Sequence, residues 1–194
     1  LSQGGDGIIS NALIEGNTIY NNGYSGSGIN MDGVQDSLIR NNLIYDSHSS
    51  GISLFKYNSA APSINNTVVF NTIVNAADSK NAALNIKDGS TGTKIFNNIL
   101  LTRRTTYATA ISYSEDSLPG TISDFNVLSP NVNSWTSIAV WQSTYKQDRN
   151  SIVATPDTIG FVDASAKDFR LTATSQAVNT GISLTLNGVN LAPT

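Results

Sequence analysis

The sequence predicts an all-β solenoid in which short strands stack in parallel, coil upon coil. Three observations predict it: a degenerate repeat of about 27 residues, an alternation of apolar and polar residues within each repeat, and a composition suited to turns. Charged residues are only 13% of the 194 residues, and 15 glycines accompany many Asn, Ser and Thr residues. Because Asn and Gly adopt left-handed backbone conformations cheaply, this mixture favours tight turns over long helices.

Each repeat is marked by an asparagine that a short apolar strand follows. The aligned residues are Asn17, Asn42, Asn71, Asn98 and Asn126. They are separated by 25, 29, 27 and 28 residues. In a stack of coils they would occupy one turn column, where each side-chain amide can bond to the next. We therefore expect an asparagine ladder along the solenoid axis.

Two further strands complete each repeat. One follows a small residue and alternates apolar with polar residues, as in Gly28-Ile29-Asn30-Met31. The other precedes the marker asparagine, as in Ser37-Leu38-Ile39. The first pattern predicts that the following residues lie above one another: Ile29, Ile52, Leu84 and Ile111. Three short strands per repeat, paired in parallel about 4.8 Å apart, predict a right-handed parallel β-helix of about five coils.

The chain divides into β-helix coils over residues 1–128 and an irregular C-terminal capping segment over residues 129–194. The repeat fades after Leu128, and the stretch from Ser134 to Gln147 allows one short amphipathic helix, with final strands after it. A cap is expected because a solenoid end exposes unpaired strand edges and core. No comparable cap precedes the first repeat, so we expect upstream coils that this sequence does not contain.

Charge and cysteine content narrow the function. The net charge is −3, and the longest basic cluster is Arg103-Arg104, which argues against nucleic acid as a partner. The sequence contains no apolar run near 18 residues, so no membrane span is expected. The absence of cysteine excludes disulfides, thiolate metal sites and a cysteine nucleophile.

The repeated phrases GNTIYNN, NNLIYDS, NTIVN and NNILL resemble the bacterial right-handed β-helix repeat proteins, a superfamily with pectate-lyase-like and alginate-lyase-like enzymes. The ending over residues 148–181 adds to this, since Asp-Phe-Arg-Leu is followed there by Ser-x-Ala-x-x-x-Gly. The resemblance covers about residues 8–181, as the C-terminal portion of such a protein. It implies a secreted or cell-surface protein that binds or acts on a polysaccharide, while the chemistry stays open because members include lyases, hydrolases and sugar-binding proteins.

Outward positions of the alternating strand predict a groove along the axis, which suits a linear polymer because successive coils can contact successive sugars. The candidate substrate-binding residues are Asn30, Asp32, Phe55, Asn85 and Glu115. No cofactor is required for binding. Carboxylates and turn carbonyls can supply oxygen ligands to Ca²⁺, and Asp32 with Asp36 is the best candidate pair.

Three functions remain open. The first is a binding or surface module with a polar flank. The second is a polysaccharide lyase-like enzyme that cleaves uronate-containing glycans by β-elimination. Lys56 or Lys87 would be its base, His48 an alternative base, and Arg103 a clamp for the substrate carboxylate. The third is a structural component that assembles end to end through exposed solenoid edges.

Glycoside hydrolysis is a weaker alternative within the enzyme class, because it needs carboxylates that converge on one bond. Asp32 with Asp36, and Glu115 with Asp116, are the dense acidic sites. Adjacent strand residues point to opposite faces, so Glu115 and Asp116 form a poor pair unless they lie in a turn.

Overall fold

The computed structural model describes residues 7–24, 26–133, 136–186 and 189–191. The first eleven strands are β1 (Ile9–Ser10), β2 (Leu13–Glu15), β3 (Thr18–Tyr20), β4 (Ile29–Asp32), β5 (Val34–Gln35), β6 (Leu38–Arg40), β7 (Leu43–Tyr45), β8 (Ile52–Phe55), β9 (Thr67–Val69), β10 (Thr72–Asn75) and β11 (Leu84–Ile86). They are two to four residues long, which is too short for an independently stable hairpin. Their stability therefore comes from stacking on equivalent strands of neighbouring coils.

The second half of the chain continues the coils and then becomes irregular. Its strands are β12 (Lys94–Phe96), β13 (Ile99–Thr102), β14 (Thr109–Tyr113), β15 (Ile122–Asp124), β16 (Val127–Leu128), β17 (Asn131–Val132), β18 (Thr136–Ser137), β19 (Ile152–Val153), β20 (Phe161–Asp163), β21 (Asp168–Leu171), β22 (Leu184–Leu186) and β23 (Val189–Leu191). A 3-10 helix, η1 (Glu115–Ser117), follows β14, and the α-helix α1 (Ile138–Tyr145) follows β18.

Three sheets form the walls of the solenoid. Sheet 1 has the order β2-β6-β9-β12-β15, sheet 2 the order β3-β7-β10-β13-β16-β19, and sheet 3 the order β4-β8-β11-β14-β17-β18. All these neighbours pair in parallel except β17 and β18, which are antiparallel. The predicted column is confirmed, because Ile52 pairs with Ile29 and Leu84, and Leu84 pairs with Ile111. The fold is therefore the parallel β-helix that the repeat predicts.

The core is a tube of aliphatic side chains that all three sheets supply. Ile39 from sheet 1, Ile44 from sheet 2 and Ile52 from sheet 3 are completely buried. In sheet 3, Leu84 and Ile86 are buried, whereas Asn85 between them is partly exposed. This is the period-2 alternation of a strand with one buried face and one face toward solvent. Burial of these aliphatic columns is the main stabilising contribution to the fold.

The asparagine ladder is present at the corner between sheets 1 and 2. Each Nδ2 donates to Oδ1 of the asparagine one coil further on, from Asn17 to Asn42 at 2.9 Å and from Asn98 to Asn126 at 3.1 Å. The residue before each ladder asparagine has a positive φ, between 53° and 68°; these residues are Gly16, Asn41, Phe70, Asn97 and Phe125. The chain therefore turns at the same place in every coil.

The segment after residue 128 covers the C-terminal end of the core. Helix α1 begins after Ser137, whose side-chain oxygen accepts a hydrogen bond from Val140 N. It places Trp141, only 2% exposed, against Tyr113 with a distance of 4.9 Å between ring centroids. Sheets 2 and 3 continue into this segment through β19 and β17. Ser134 and Trp135, where we expected the helical stretch to begin, lie outside the described residues.

Candidate functional site

A groove runs across the outer face of sheet 3, with a volume of about 370 Å³. It brings together four of the five predicted substrate-binding residues: Asn30, Asp32, Phe55 and Asn85. They meet because β4, β8 and β11 are adjacent in register, so that Asn30 pairs with Ser53 and Ser53 with Asn85. We call this depression the sheet 3 groove.

The floor of the sheet 3 groove is a polar column, because outward positions of the alternating strands carry amides and hydroxyls. Ser53 Oγ accepts hydrogen bonds from Ser27 Oγ at 2.6 Å and from Asn85 Nδ2 at 3.4 Å. Asn30, one coil earlier, is exposed to solvent at the same register position. Neutral donors and acceptors thus face outward at successive coils, about 4.8 Å apart.

Asp32 fixes one rim of the groove. Its carboxylate accepts hydrogen bonds from Tyr57 N at 2.7 Å, from Asn58 N at 2.7 Å, and from both the backbone N and Oγ of Ser59. Burial acts to raise the pKa of Asp32, but these hydrogen bonds outweigh it and hold the pKa below its ordinary value. Gly33 allows the loop to approach, since a Cβ there would lie 2.2 Å from Ser59 Cβ.

The rim loop anchored by Asp32 presents an aromatic ring to the groove. Tyr57 lines the groove and is 81% exposed. Phe55, at the end of β8, lines it beside Tyr57 and is half-buried. An exposed ring next to neutral polar groups is a surface that can stack on the apolar face of a sugar while hydroxyls and amides bind its oxygens.

His48 belongs to a polar cluster beside the groove, one residue from the groove-lining Ser49. Its Nδ1 lies 2.6 Å from Asp78 Oδ1, its Nε2 lies 3.1 Å from Asn21 Oδ1, and its ring stacks on Tyr24 at 4.2 Å. Asp78 is not among the residues that the sequence predicts for the site. The repeat could have predicted this contact, because His48 and Asp78 each follow a sheet 2 strand at the same corner of successive coils.

The two candidate lysine bases lie on adjacent coils after β8 and β11. Backbone N of Lys87 donates to the Leu54 carbonyl at 2.9 Å, which ties the two segments together. Lys56 is exposed and Lys87 half-buried. Within the described ranges, neither side chain makes a hydrogen bond or an ion pair, and neither lines the sheet 3 groove.

The structure places the remaining candidates elsewhere. Arg103 follows β13 of sheet 2, and its Nη2 donates to the Ala164 carbonyl at 2.7 Å. Glu115 is exposed at the start of η1 and does not line the groove. The structure therefore does not gather Lys56, Arg103 and the His48 cluster around one point.

The calcium prediction stays a prediction. Asp32 uses its carboxylate oxygens for the Tyr57–Ser59 loop, and Asp36 Oδ1 accepts from Asn65 Nδ2 at 3.2 Å. In the part of the chain that the structure describes, no three His, Asp or Glu side chains come together as a metal-binding group. The same part contains no helix long and apolar enough to cross a membrane.

The three parallel sheets define a class of fold, the parallel β-helix proteins. A family model described as the right-handed β-helix region matches residues 2–118, which is more than half of the chain. The protein therefore belongs to the right-handed β-helix family. Searches of curated proteins and of solved structures each found no significant match. The predictions of a parallel β-helix, a solenoid and a repeat are confirmed.

Proposed function

We propose that this protein is an extracellular binding module that holds a linear polysaccharide in the sheet 3 groove. The observation that carries the proposal is the juxtaposition of Asn30, Ser53 and Asn85 on adjacent coils with the exposed ring of Tyr57 at the rim. A repeating polar surface suits a repeating ligand, because each coil can offer the same contact to the next sugar.

The chemistry of the groove favours a hydroxyl-rich ligand. Its floor offers neutral amides and hydroxyls, and the carboxylate of Asp32 is occupied by the rim loop. The rim loop is held before any ligand arrives, so binding costs little ordering of the protein there. The neutral polar floor can form hydrogen bonds with sugar hydroxyls, and the aromatic rim can stack on the apolar face of a sugar ring.

The test is a binding measurement on a panel of linear neutral and acidic polysaccharides, first by affinity electrophoresis and then by calorimetry with matching oligosaccharides. We expect Tyr57→Ala to weaken binding about tenfold, because it removes one aromatic contact. Asn30→Ala removes one neutral hydrogen-bonding group and should weaken binding about fivefold.

The matched control is Tyr20→Ala. Tyr20 is 57% exposed but lies on β3 of sheet 2, outside the sheet 3 groove. This variant should bind the polysaccharide as the unaltered protein does. Equal losses in Tyr57→Ala and Tyr20→Ala, or no retention by any polysaccharide of the panel, would contradict the proposal.

The contact between His48 and Asp78 favours a second candidate, a lyase-like activity on uronate-containing glycans. A carboxylate 2.6 Å from Nδ1 orients the ring, and Nε2 becomes available for proton transfer once a substrate displaces Asn21 Oδ1, which lies 3.1 Å from it. Elimination creates a carbon–carbon double bond, so ultraviolet absorbance on pectate, alginate and glycosaminoglycans tests it. Activity that His48→Ala abolishes, with polysaccharide binding intact, would support the candidate, and constant absorbance on all three substrates would exclude it.

A further inference from the structure

We infer that the pocket around Arg103 and Arg104 binds a small oxyanion group, as found in phosphate, sulfate and carboxylate. This pocket, which we call the arginine pocket, is distinct from the sheet 3 groove, and the two share no lining residue. The inference does not depend on the proposed polysaccharide binding.

The arginine pocket lies at the corner that follows sheet 2, between three successive passes of the chain. Arg103 and Arg104 follow β13, Pro130 follows β16 one coil later, and the turn from Thr155 to Asp157 follows β19. The pocket has a volume of about 430 Å³, enough for a group of a few heavy atoms together with water.

The arginine pocket is lined by two positive side chains, Arg103 and Arg104, and by one negative side chain, Asp157, which forms no ion pair with either arginine. Two other arginines have carboxylate partners, since Arg40 Nε lies 2.7 Å from Glu15 and Arg170 Nη2 lies 2.5 Å from Asp168. Across the described residues, neither Arg103 nor Arg104 forms an ion pair. Two adjacent half-buried cations and one exposed carboxylate leave the lining of the pocket with an excess positive charge, which a bound anion would neutralise.

The hydrogen bonds of Arg103 also support binding of an oxyanion in the arginine pocket. Arg103 Nη2 donates to the Ala164 carbonyl at 2.7 Å, which holds this guanidinium in place. Arg103 Nε is buried and finds no acceptor among the residues that the structure describes. Because Nε is buried, the donors that a ligand can reach are the other guanidinium nitrogens of Arg103 and the guanidinium of Arg104. A guanidinium offers its donors as a planar fork that matches two oxygens of one oxyanion, which defines the chemistry of the ligand.

The bond from Arg103 to Ala164 also links the coils to the segment of β20 and β21. An anion held by the two arginines, on the side of the pocket away from the Asp157 carboxylate, would strengthen that link. Because it would bind the folded state and not the unfolded chain, its binding should raise the thermal stability of the protein in a saturable way.

The experiment titrates phosphate, sulfate and acetate into the protein at constant ionic strength set with chloride, and follows calorimetric heat and melting temperature. We use Arg104→Gln, because the Arg104 side chain makes no hydrogen bond or ion pair within the described ranges. We expect this variant to bind at least about tenfold more weakly, the size of one lost charge-assisted contact. Arg149→Gln removes the same charge from an exposed position outside the pocket and should change the affinity less than about twofold.

A further arm compares inorganic sulfate with sulfated and neutral oligosaccharides. Tighter binding of the sulfated oligosaccharide identifies a glycan as the carrier of the oxyanion, and equal affinity identifies the free ion. Saturable binding of any of these anions that Arg104→Gln loses and Arg149→Gln keeps supports the inference. The absence of saturable binding by the unaltered protein, or equal affinity in Arg104→Gln, overturns it. Tyr57→Ala should leave this binding unchanged, so the inference and the groove proposal can fail separately.

Discussion

The side-chain amide of Asn126 donates to Oδ1 of Asp148 at 3.0 Å, and this hydrogen bond ends the asparagine ladder. Every earlier rung joins one Nδ2 to the next Oδ1, so the last asparagine has a donor left over. Asp148 is fully buried and also accepts from Trp141 Nε1 at 2.9 Å and from Ser151 Oγ at 2.6 Å. A carboxylate only accepts, which suits a position where three donors converge.

Replacement of Asp148 by asparagine should therefore destabilise the protein, although the two side chains have the same shape. The new amide would turn an N–H toward a donor, leaving a buried donor unpaired at a cost of about 1–3 kcal/mol. Urea unfolding followed by circular dichroism measures this cost. Asp157→Asn, on an exposed turn, is the control and should stay within about 0.5 kcal/mol. Equal stability of the two variants would show that the ladder needs no acceptor-only end.

A second prediction compares the middle of the ladder with its beginning. Asn71 is 1% exposed; its amide donates to Asn98 Oδ1, and its own Oδ1 accepts from Asn42 Nδ2. Asn71→Ala should cost on the order of 3 kcal/mol, because buried donors and acceptors on both sides lose their partner. Asn17→Ala should cost less than about 1 kcal/mol, since Asn17 is exposed and occupies the first rung. Similar losses in chemical denaturation would contradict a ladder whose stability comes from burial.

The ladder could be predicted from sequence because its asparagines recur at nearly constant spacing. Its last acceptor could not, since Asp148 lies 22 residues beyond Asn126, differs in residue type and follows helix α1. The position of Arg103 could have been anticipated. It follows the strand after a ladder asparagine, whereas Lys56 and Lys87 follow the alternating strand, so the two kinds of position belong to different sheets.

A third prediction tests the inward and outward faces of sheet 3 at two neighbouring residues. Leu84 is fully buried, so Leu84→Ala should cost about 2–5 kcal/mol from lost burial and the cavity left behind. Asn85 faces the groove, and Asn85→Ala should cost less than about 1 kcal/mol. Guanidinium unfolding of both variants measures the difference. A larger loss of unfolding free energy in Asn85→Ala than in Leu84→Ala would contradict the assignment of Leu84 to the inner face and Asn85 to the outer face of sheet 3.

The fourth prediction concerns pH. Hydrogen bonds from the rim loop lower the pKa of Asp32 in the folded state below the value of about 3.9 in the unfolded chain. The ionised carboxylate therefore contributes stability above that unfolded value, and the contribution is lost as the pH falls through the folded value. Asp32→Asn should melt at a lower temperature than the unaltered protein at pH 7, and the difference should shrink below about pH 4. A difference that stays constant down to pH 2 would contradict this assignment.

The last prediction concerns the contact between the coil wall and the C-terminal segment. Asn97 Nδ2 donates to the Ile182 carbonyl at 2.7 Å, and Ile182 N donates back to Asn97 Oδ1 at 2.9 Å. Asn97→Gly removes both bonds and keeps the backbone relaxed, because glycine accepts the φ of 56° at this corner. Hydrogen exchange at Ile182 N–H should accelerate about thirtyfold, since two exposed bonds of about 1 kcal/mol each are lost.

The control for this variant is Asn41→Gly, at the equivalent corner two coils earlier, where φ is 53°. The Asn41 side chain contacts Glu15, 3.5 Å away on the preceding coil, so this variant makes the same change from asparagine to glycine at a corner other than the one that contacts Ile182. Exchange at Ile182 should therefore match that of the unaltered protein. If both glycine variants accelerated it equally, the backbone of the corner, and not the two bonds of Asn97, would control how firmly the segment is held.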